Sequence, residues 1–372
     1  MSKSIVKEER LREGYTTGAC ATAATKAALL TLIKGKAIQS VTIRLPVGKD
    51  ATFTSQCCEW TANQATVGVI KDAGDDPDAT HGMLIKSTVS WSASAGISLD
   101  GGQGVGRVTK KGLPVPVGEA AINPVPRKMI RGIVEDIVEA YHISQGIHVE
   151  ISAPAGEEVA KKTLNERLGI IGGISILGTR GTVKPFSSAA FKASIAQAIS
   201  VAQSSGCQHV VITTGGRSEK YAIQQYPHLP QEAFIEMGDF VGFTLKQCKR
   251  QGIKKVSMVG MMGKFSKVAQ GTMMVHSKSA PVDFDFLARL AEQVGAASPL
   301  LEEIREANTA SEVGELMTSH GYHTFFEKLC QSCCLSALKE VNGGMEVETS
   351  LYTLKGAFLG KAVEKDEHAS KR

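Results

Sequence analysis

Residues 168–186 read LGIIGGISILGTRGTVKPF, five glycines set into an apolar run just ahead of a helix-forming segment. Glycine inside a regular element costs roughly 1 kcal/mol relative to alanine, so such a density marks backbone at φ > 0 or a close approach by another group. Gly169, Gly172, Gly173, Gly178 and Gly181 fit neither the GxxxxGK[ST] phosphate loop nor the GxGxxG turn. Downstream the pattern alternates between strand and helix, the mark of a parallel sheet. A short strand is expected at 174–177, a helix over Ser188–Ser204 and a buried strand over His209–Thr213. A second helix is expected over 231–250, a strand at 255–259, a third helix from Lys264, a capping box at Thr309 and Glu312, and a last strand at 346–353.

Upstream, residues 17–32 read as an alanine-rich helix capped by Thr16 or Thr17. Alternating runs at 40–45, 51–56, 65–71 and 83–91 look like strands. A proline-rich link over 113–126 leads into a helix over 127–141. The fold class is therefore α/β and α+β: an N-terminal mixed α+β domain, 1–165, then a C-terminal Rossmann-like α/β domain with a mainly parallel sheet, 166–360, and a charged tail, 361–372. At 372 residues the chain is long enough for two cores.

Composition narrows the function. The chain is 42% hydrophobic and 21% charged, with a net charge of +5 and 5% aromatic residues. It lacks a basic stripe or an aromatic-basic pattern for nucleic acid, and its apolar runs are shorter than the roughly 18 residues of a membrane span. With a charged N-terminal segment and eight irregularly spaced cysteines, cytoplasmic residence and reduced thiols are expected.

In an open parallel sheet, ligands bind beyond the carboxyl ends of the strands. Three loops there pair glycine with a cation: 178–187 with Arg180 and Lys184, 214–220 (TGGRSEK) with Arg217, and 260–264 (GMMGK) with Lys264. Together they suggest a site for carboxylates or phosphates. The segment KDAGDDPDATHG, 71–82, gathers Asp72, Asp75, Asp76, Asp78 and His81. It lacks the calcium-loop pattern, and ligand-orienting carboxylates or self-capping turns are the readier reading. His320, His323, Cys330, Cys333 and Cys334 have a spacing that suits zinc, yet the cysteines fall on a continuous helix where buried thiols act as small hydrophobes. His276 follows the third loop and is a candidate for proton handling.

Five ordered motifs carry a resemblance over most of the chain. GYTTGACATAATKAA from Gly14, DAGDDPDATHG from Asp72, GVGRVTKKGL from Gly104, GEAAINPVPR from Gly118 and KTLNERLGIIGGISILGTRGTVKPFS from Lys162 resemble the cobalt-precorrin-5B C1-methyltransferases, the CbiD type, of cobalamin biosynthesis. The resemblance implies methyl transfer from S-adenosylmethionine to ring carbon 1 of a cobalt-bearing tetrapyrrole by the anaerobic route. Cobalt then arrives in the substrate, and no protein-bound metal is expected. On that reading Thr214, Gly215, Gly216, Arg217, Gly260, Gly263 and Lys264 bind the donor. The anionic macrocycle falls to Thr16, Thr17, Arg107, Lys110, Arg127, Gly178, Arg180, Gly181 and Lys184. Asp75, Asp76 and His276 are candidate catalytic or orienting groups, and hand-over from a neighbouring pathway enzyme is an implied partnership; the oligomeric state is left open. The chain departs from the family pattern at Thr214–Arg217, at Met274 and Val275 before His276, and at Arg180. A tetrapyrrole-binding scaffold and an enzyme of phosphorylated small molecules are the alternatives.

Overall fold

The computed structural model describes residues 11–276 and 279–366. The backbone divides into two compact units, the first ending at Ser188 and the second beginning at Ala189, some twenty residues beyond the expected boundary at 165. The physical reason lies in the glycine-rich run, which belongs to the first unit.

In the first unit, β1 (Gly14–Tyr15) leads into α1 (Thr17–Lys34). Thr16 caps α1 by accepting from the Ala19 N–H at 3.2 Å, and Gly35 ends it in the left-handed conformation. Its small residues are buried on nearly every side, which lets neighbouring elements approach closely. A hairpin of β2 (Ser40–Arg44) and β3 (Asp50–Thr54) follows. Next come β4 (Cys57–Trp60), β5 (Gln64–Ile70), β6 (Leu84–Ser92), β7 (Ile97–Gly101) and the short β8 (Arg107–Val108). After α2 (Pro124–Ala140), β9 (Gly146–Ser152) completes a sheet of order β4-β5-β6-β9-β7, antiparallel except for β7 against β9. Ile85 and Val89 of β6 point into a core shared with α1 and with Ile130 and Val134 of α2. A short helix, α3 (Gly156–Ala160), precedes the glycine-rich run.

That run is threaded through the first unit. Within it β10 (Ile170–Ile171) pairs with β8, and β11 (Thr182–Val183) pairs with β1. The strand expected at 174–177 is only a pair of isolated bridges, Val105 to Ile174 and Ile122 to Ile176, so it does not open the α/β sheet. A Cβ on Gly173 would stand 2.1 Å from the Gly104 carbonyl oxygen, the close approach the sequence implied.

The second unit begins with α4, whose helix spans Ser188–Ser204 as expected. It is built on β12 (His209–Thr213), and where the sequence pattern predicts a loop a helix, α5 (Gly216–Gln225), follows. The helix expected over 231–250 is instead a 3-10 turn at Gln231–Ala233, the strand β13 (Phe234–Glu236) and α6 (Val241–Arg250). The break falls at Gly238, whose φ of 57° interrupts a helix. Then come β14 (Lys255–Met261), α7 (Met262–Ala269), α8 (Phe284–Gln293), α9 (Ser298–Glu306), α10 (Ala310–Ser319) and α11 (His323–Val341). The sheet is completed by β15 (Glu346–Tyr352) and β16 (Phe358–Lys365), which takes up part of the supposed tail; residues 367–372 lie outside the described residues.

Strand order is β13-β12-β14-β15-β16, with all neighbours parallel except β15 against β16. One face carries α5 over Val211, Phe234 and Val259. The other packs Ile195, Ile199, Leu245, Phe265 and Leu329 over Val210, Ile212, Val256, Met258 and Val347. From β12 the chain crosses to β13 on one side and then back to β14 on the other. The order reverses between β12 and β14, and there an open α/β sheet leaves a crevice at its carboxyl edge.

Candidate functional site

At that reversal lies a cavity of about 410 Å³. One wall is Thr214 to Ser218, the turn from β12 into α5; a second is Met261, Gly263 and Lys264, the turn from β14 into α7. Ser311, in the first turn of α10, and Leu354, just after β15, complete it. Local chemistry holds these turns. The Ser218 hydroxyl donates to the Gly215 carbonyl at 2.8 Å and accepts from the Thr214 N–H at 3.2 Å. Thr309 caps α10 by accepting from the Glu312 N–H at 3.1 Å, while Glu312 accepts from the Asn308 N–H at 2.8 Å.

Neither Gly215 before α5 nor Met261 before α7 supplies a side-chain cap, so no cap side chain satisfies the first-turn N–H groups of either helix. A Cβ on Gly216 or Gly263 would meet nothing within 4 Å. Arg217 is exposed, and no hydrogen bond or ion pair engages its guanidinium among the described residues. Lys264 forms an ion pair with Asp239 at 2.9 Å. The cavity thus combines a cation, helix N–H groups, the hydroxyls of Thr214 and Ser311, and the apolar Met261 and Leu354. That set suits a small ligand with one anionic end, a polar middle and an apolar part, and its volume falls in the ~300–1,000 Å³ range of such sites.

Six of the seven residues expected at a donor site line this one cavity. Gly260 does not: it is buried, and a Cβ there would strike the Phe265 ring at 2.0 Å, so its role is packing. Ser218, Met261, Ser311 and Leu354 were missed. Ser218 was legible once α5 was recognised; Ser311 and Leu354 come from distant chain segments that no local pattern links. His276 is exposed, three residues beyond the contact of Met273 with α6, and its carbonyl accepts from the buried Lys267 ammonium at 3.4 Å.

The candidates of the first unit divide into engaged and available groups. Thr16 is the α1 cap, and the Thr17 hydroxyl reaches the Ser175 and Leu177 carbonyls while accepting from the Leu177 N–H at 2.9 Å. Both are buried and serve the fold. Arg107 pairs with Asp100 at 2.9 Å, and the Lys110 side chain packs where a Cβ on Gly169 would lie. Arg127 donates to the Ile122 and Ala120 carbonyls and pairs with Glu119 at 2.9 Å. It also lines a groove of about 520 Å³ between Pro114, Pro116 and Pro124 and the first turns of α2.

Gly178 and Gly181 are conformational residues, at φ of 130° and 80°. Arg180 and Lys184 are exposed, and no hydrogen bond or ion pair engages either side chain among the described residues. Beside them Leu177 and Phe186 are 48% and 72% exposed, an apolar surface flanked by two cations. Asp76 shapes that surface by accepting from the Phe186 N–H at 3.0 Å. Asp75 accepts from the Arg12 N–H at 2.6 Å.

The acidic segment is a set of linked turns. Arg12 grips Asp72 through both carboxylate oxygens and holds that carboxyl down at about 2. Asp78 pairs at 2.7 Å with Lys71, whose side chain is 1% exposed. The Ala73 N–H donates to His81 Nδ1 at 3.1 Å. Among the described residues, no group of three or more His, Cys, Asp or Glu side chains is arranged to hold a metal. Cys330, Cys333 and Cys334 are buried in α11 against Gly360, Phe265 and Thr349, and burial pushes all three thiols up. No described helix is long and apolar enough to cross a membrane.

A doubly wound sheet with a cavity at its reversal point, in one chain with a mixed α+β unit, defines a class of two-unit α/β and α+β proteins. Comparisons with known proteins narrow it. Residues 4–185 match the family model CbiD, and residues 274–363 match the model CbiD, C-terminal domain. The cobalt-precorrin-5B C(1)-methyltransferase of Priestia megaterium is 69% identical over 97% of this chain and 99% of its own length. That of Leptospira interrogans is 43% identical over 95% and 96%. A solved cobalamin biosynthesis protein (cbiD) from Archaeoglobus fulgidus is 31% identical, covering 68% of this chain and 78% of its own, with a TM-score of 0.39. The chain belongs to the CbiD family.

Proposed function

We propose that this chain methylates ring carbon 1 of cobalt-precorrin-5B with S-adenosylmethionine as donor, and that the donor occupies the cavity between β12 and β14. The membership of the CbiD family and the names of its full-length relatives support the reaction. The cavity's position at the strand-order reversal carries the donor assignment.

The residues present fit such a group. Arg217 offers an unengaged cation to an amino-acid carboxylate, and the uncapped first turns of α5 and α7 add N–H donors. Gly216 and Gly263 leave the entrance without side chains. Thr214 and Ser311 offer hydroxyls, and Met261 and Leu354 limit water on the apolar side. The bound donor supplies an electrophilic methyl on sulfur. The chain's contribution is placement, since holding two reactants in a near-attack geometry is worth roughly 7–11 kcal/mol.

For the substrate, Arg180 and Lys184 supply carboxylate partners beside the exposed faces of Leu177 and Phe186, matching a flat apolar ring with an acidic rim. Asp76 acts here as a positioning residue through the Phe186 backbone. The cobalt travels with the substrate.

Calorimetry with S-adenosylhomocysteine on the full chain tests the donor site. Arg217→Ala should weaken binding about tenfold to a hundredfold with an unchanged melting temperature. Wild-type affinity in that variant would place the donor elsewhere.

A further inference from the structure

One carboxylate stands beside Gly215, a residue of the cavity wall. Glu236 is the last residue of β13, exposed, and in register with Thr213, the last residue of β12. Its Oε1 lies 3.7 Å from the point a Cβ on Gly215 would occupy. The acid therefore overhangs the glycine turn that opens α5, on the side away from β14.

In the dinucleotide-binding class of open α/β sheets, the glycine turn that leads from the first strand into a helix is followed about twenty residues later by an acid, at the end of the adjacent strand, that takes up the ribose 2′-hydroxyl. Gly216 and Glu236 have this spacing and this strand relation, although the turn lacks the GxGxxG spacing. The chemistry follows from the group itself. A carboxylate accepts from two vicinal hydroxyls at once, and its charge repels a phosphate in the same place.

We infer that Glu236 is a specificity-determining residue of the donor cavity, accepting hydrogen bonds from the ribose hydroxyls of a nucleoside ligand. The inference rests on the donor reading above. It makes the site selective for a free ribose diol and closed to 2′-phosphorylated nucleotides.

The test compares S-adenosylhomocysteine with its 2′-deoxy analogue by calorimetry on the full chain. Wild type should prefer the ribose form by about tenfold to a hundredfold. Glu236→Ala should bring the two ligands within about threefold of each other, chiefly by weakening the ribose form, and Glu236→Gln should fall between. An unchanged preference in both variants overturns the assignment. Gly263→Trp, which fills open space in the cavity, separates the two levels of the argument. If it abolishes binding while Glu236→Ala keeps the preference, the Glu236 assignment alone fails; if it leaves binding intact, or wild type does not bind, the donor reading fails and the Glu236 assignment with it.

Discussion

A Cβ on Gly178 would lie 2.5 Å from the Thr16 side chain, at a φ of 130° that side chains rarely adopt. The backbone strain falls on residue 178 itself, and the overlap falls on Thr16, the residue that caps α1. Gly178→Ala should therefore destabilise the chain by roughly 2–4 kcal/mol in a denaturant melt. Arg180, two residues on, is exposed and unengaged, so Arg180→Ala should stay within about 0.5 kcal/mol of wild type while weakening tetrapyrrole binding. The reverse pattern would make Arg180 structural. These neighbours show what was legible at single residues. The glycines announced themselves because each is costly in an ordinary element, and Gly173 and Gly178 have identifiable close neighbours. Arg107 and Arg127 did not: guanidiniums that hold the chain's own carbonyls and carboxylates are the same residue type as those that hold a ligand, and only partners tell them apart.

At the scale of elements, the sheet of the second unit has a polar side. His209 at the start of β12 shares a hydrogen bond of 2.8 Å with Ser257, packs edge-on to Tyr226, and lies near Lys255, while Tyr226 donates to the buried Glu348. Burial first, and Lys255 next, lower the imidazole from 6.5 to about 4. The fold thus favours the neutral ring, and the unfolded chain takes up the proton first as pH falls. This stabilisation is complete above pH 6.5 and is lost as pH drops toward about 4, by roughly 1–2 kcal/mol for a partly exposed ring. His209→Gln should flatten that part of the stability profile measured from pH 7 to 4; a profile parallel to wild type would remove His209 as its source. The strands β12 and β14 were legible from continuous apolar runs. The strand β13 was not, because its three residues sit between a turn and a glycine inside a stretch with helical composition, and α5 was hidden by the two glycines that begin it.

For the whole molecule, two separate hydrophobic cores support two kinds of surface. The second unit holds the cavity between β12 and β14 that we propose for the donor, and the first carries the cationic and apolar loop around Arg180 and Phe186. Two cores were legible from chain length and from the change of pattern. Their boundary was not, since the run over 168–186 looks like the start of a parallel sheet until its pairing with β8 and β1 is seen. Methyl transfer by this chain is the central claim of the functional reading. Mass spectrometry of cobalt-precorrin-5B incubated with the full chain and S-adenosylmethionine tests this most directly. The account predicts a product heavier by one methylene unit, modified at ring carbon 1, with an equal amount of S-adenosylhomocysteine, and loss of both in a variant carrying Gly263→Trp. Unmodified substrate in the presence of correctly folded wild-type protein, or undiminished methylation with the cavity filled, would contradict it.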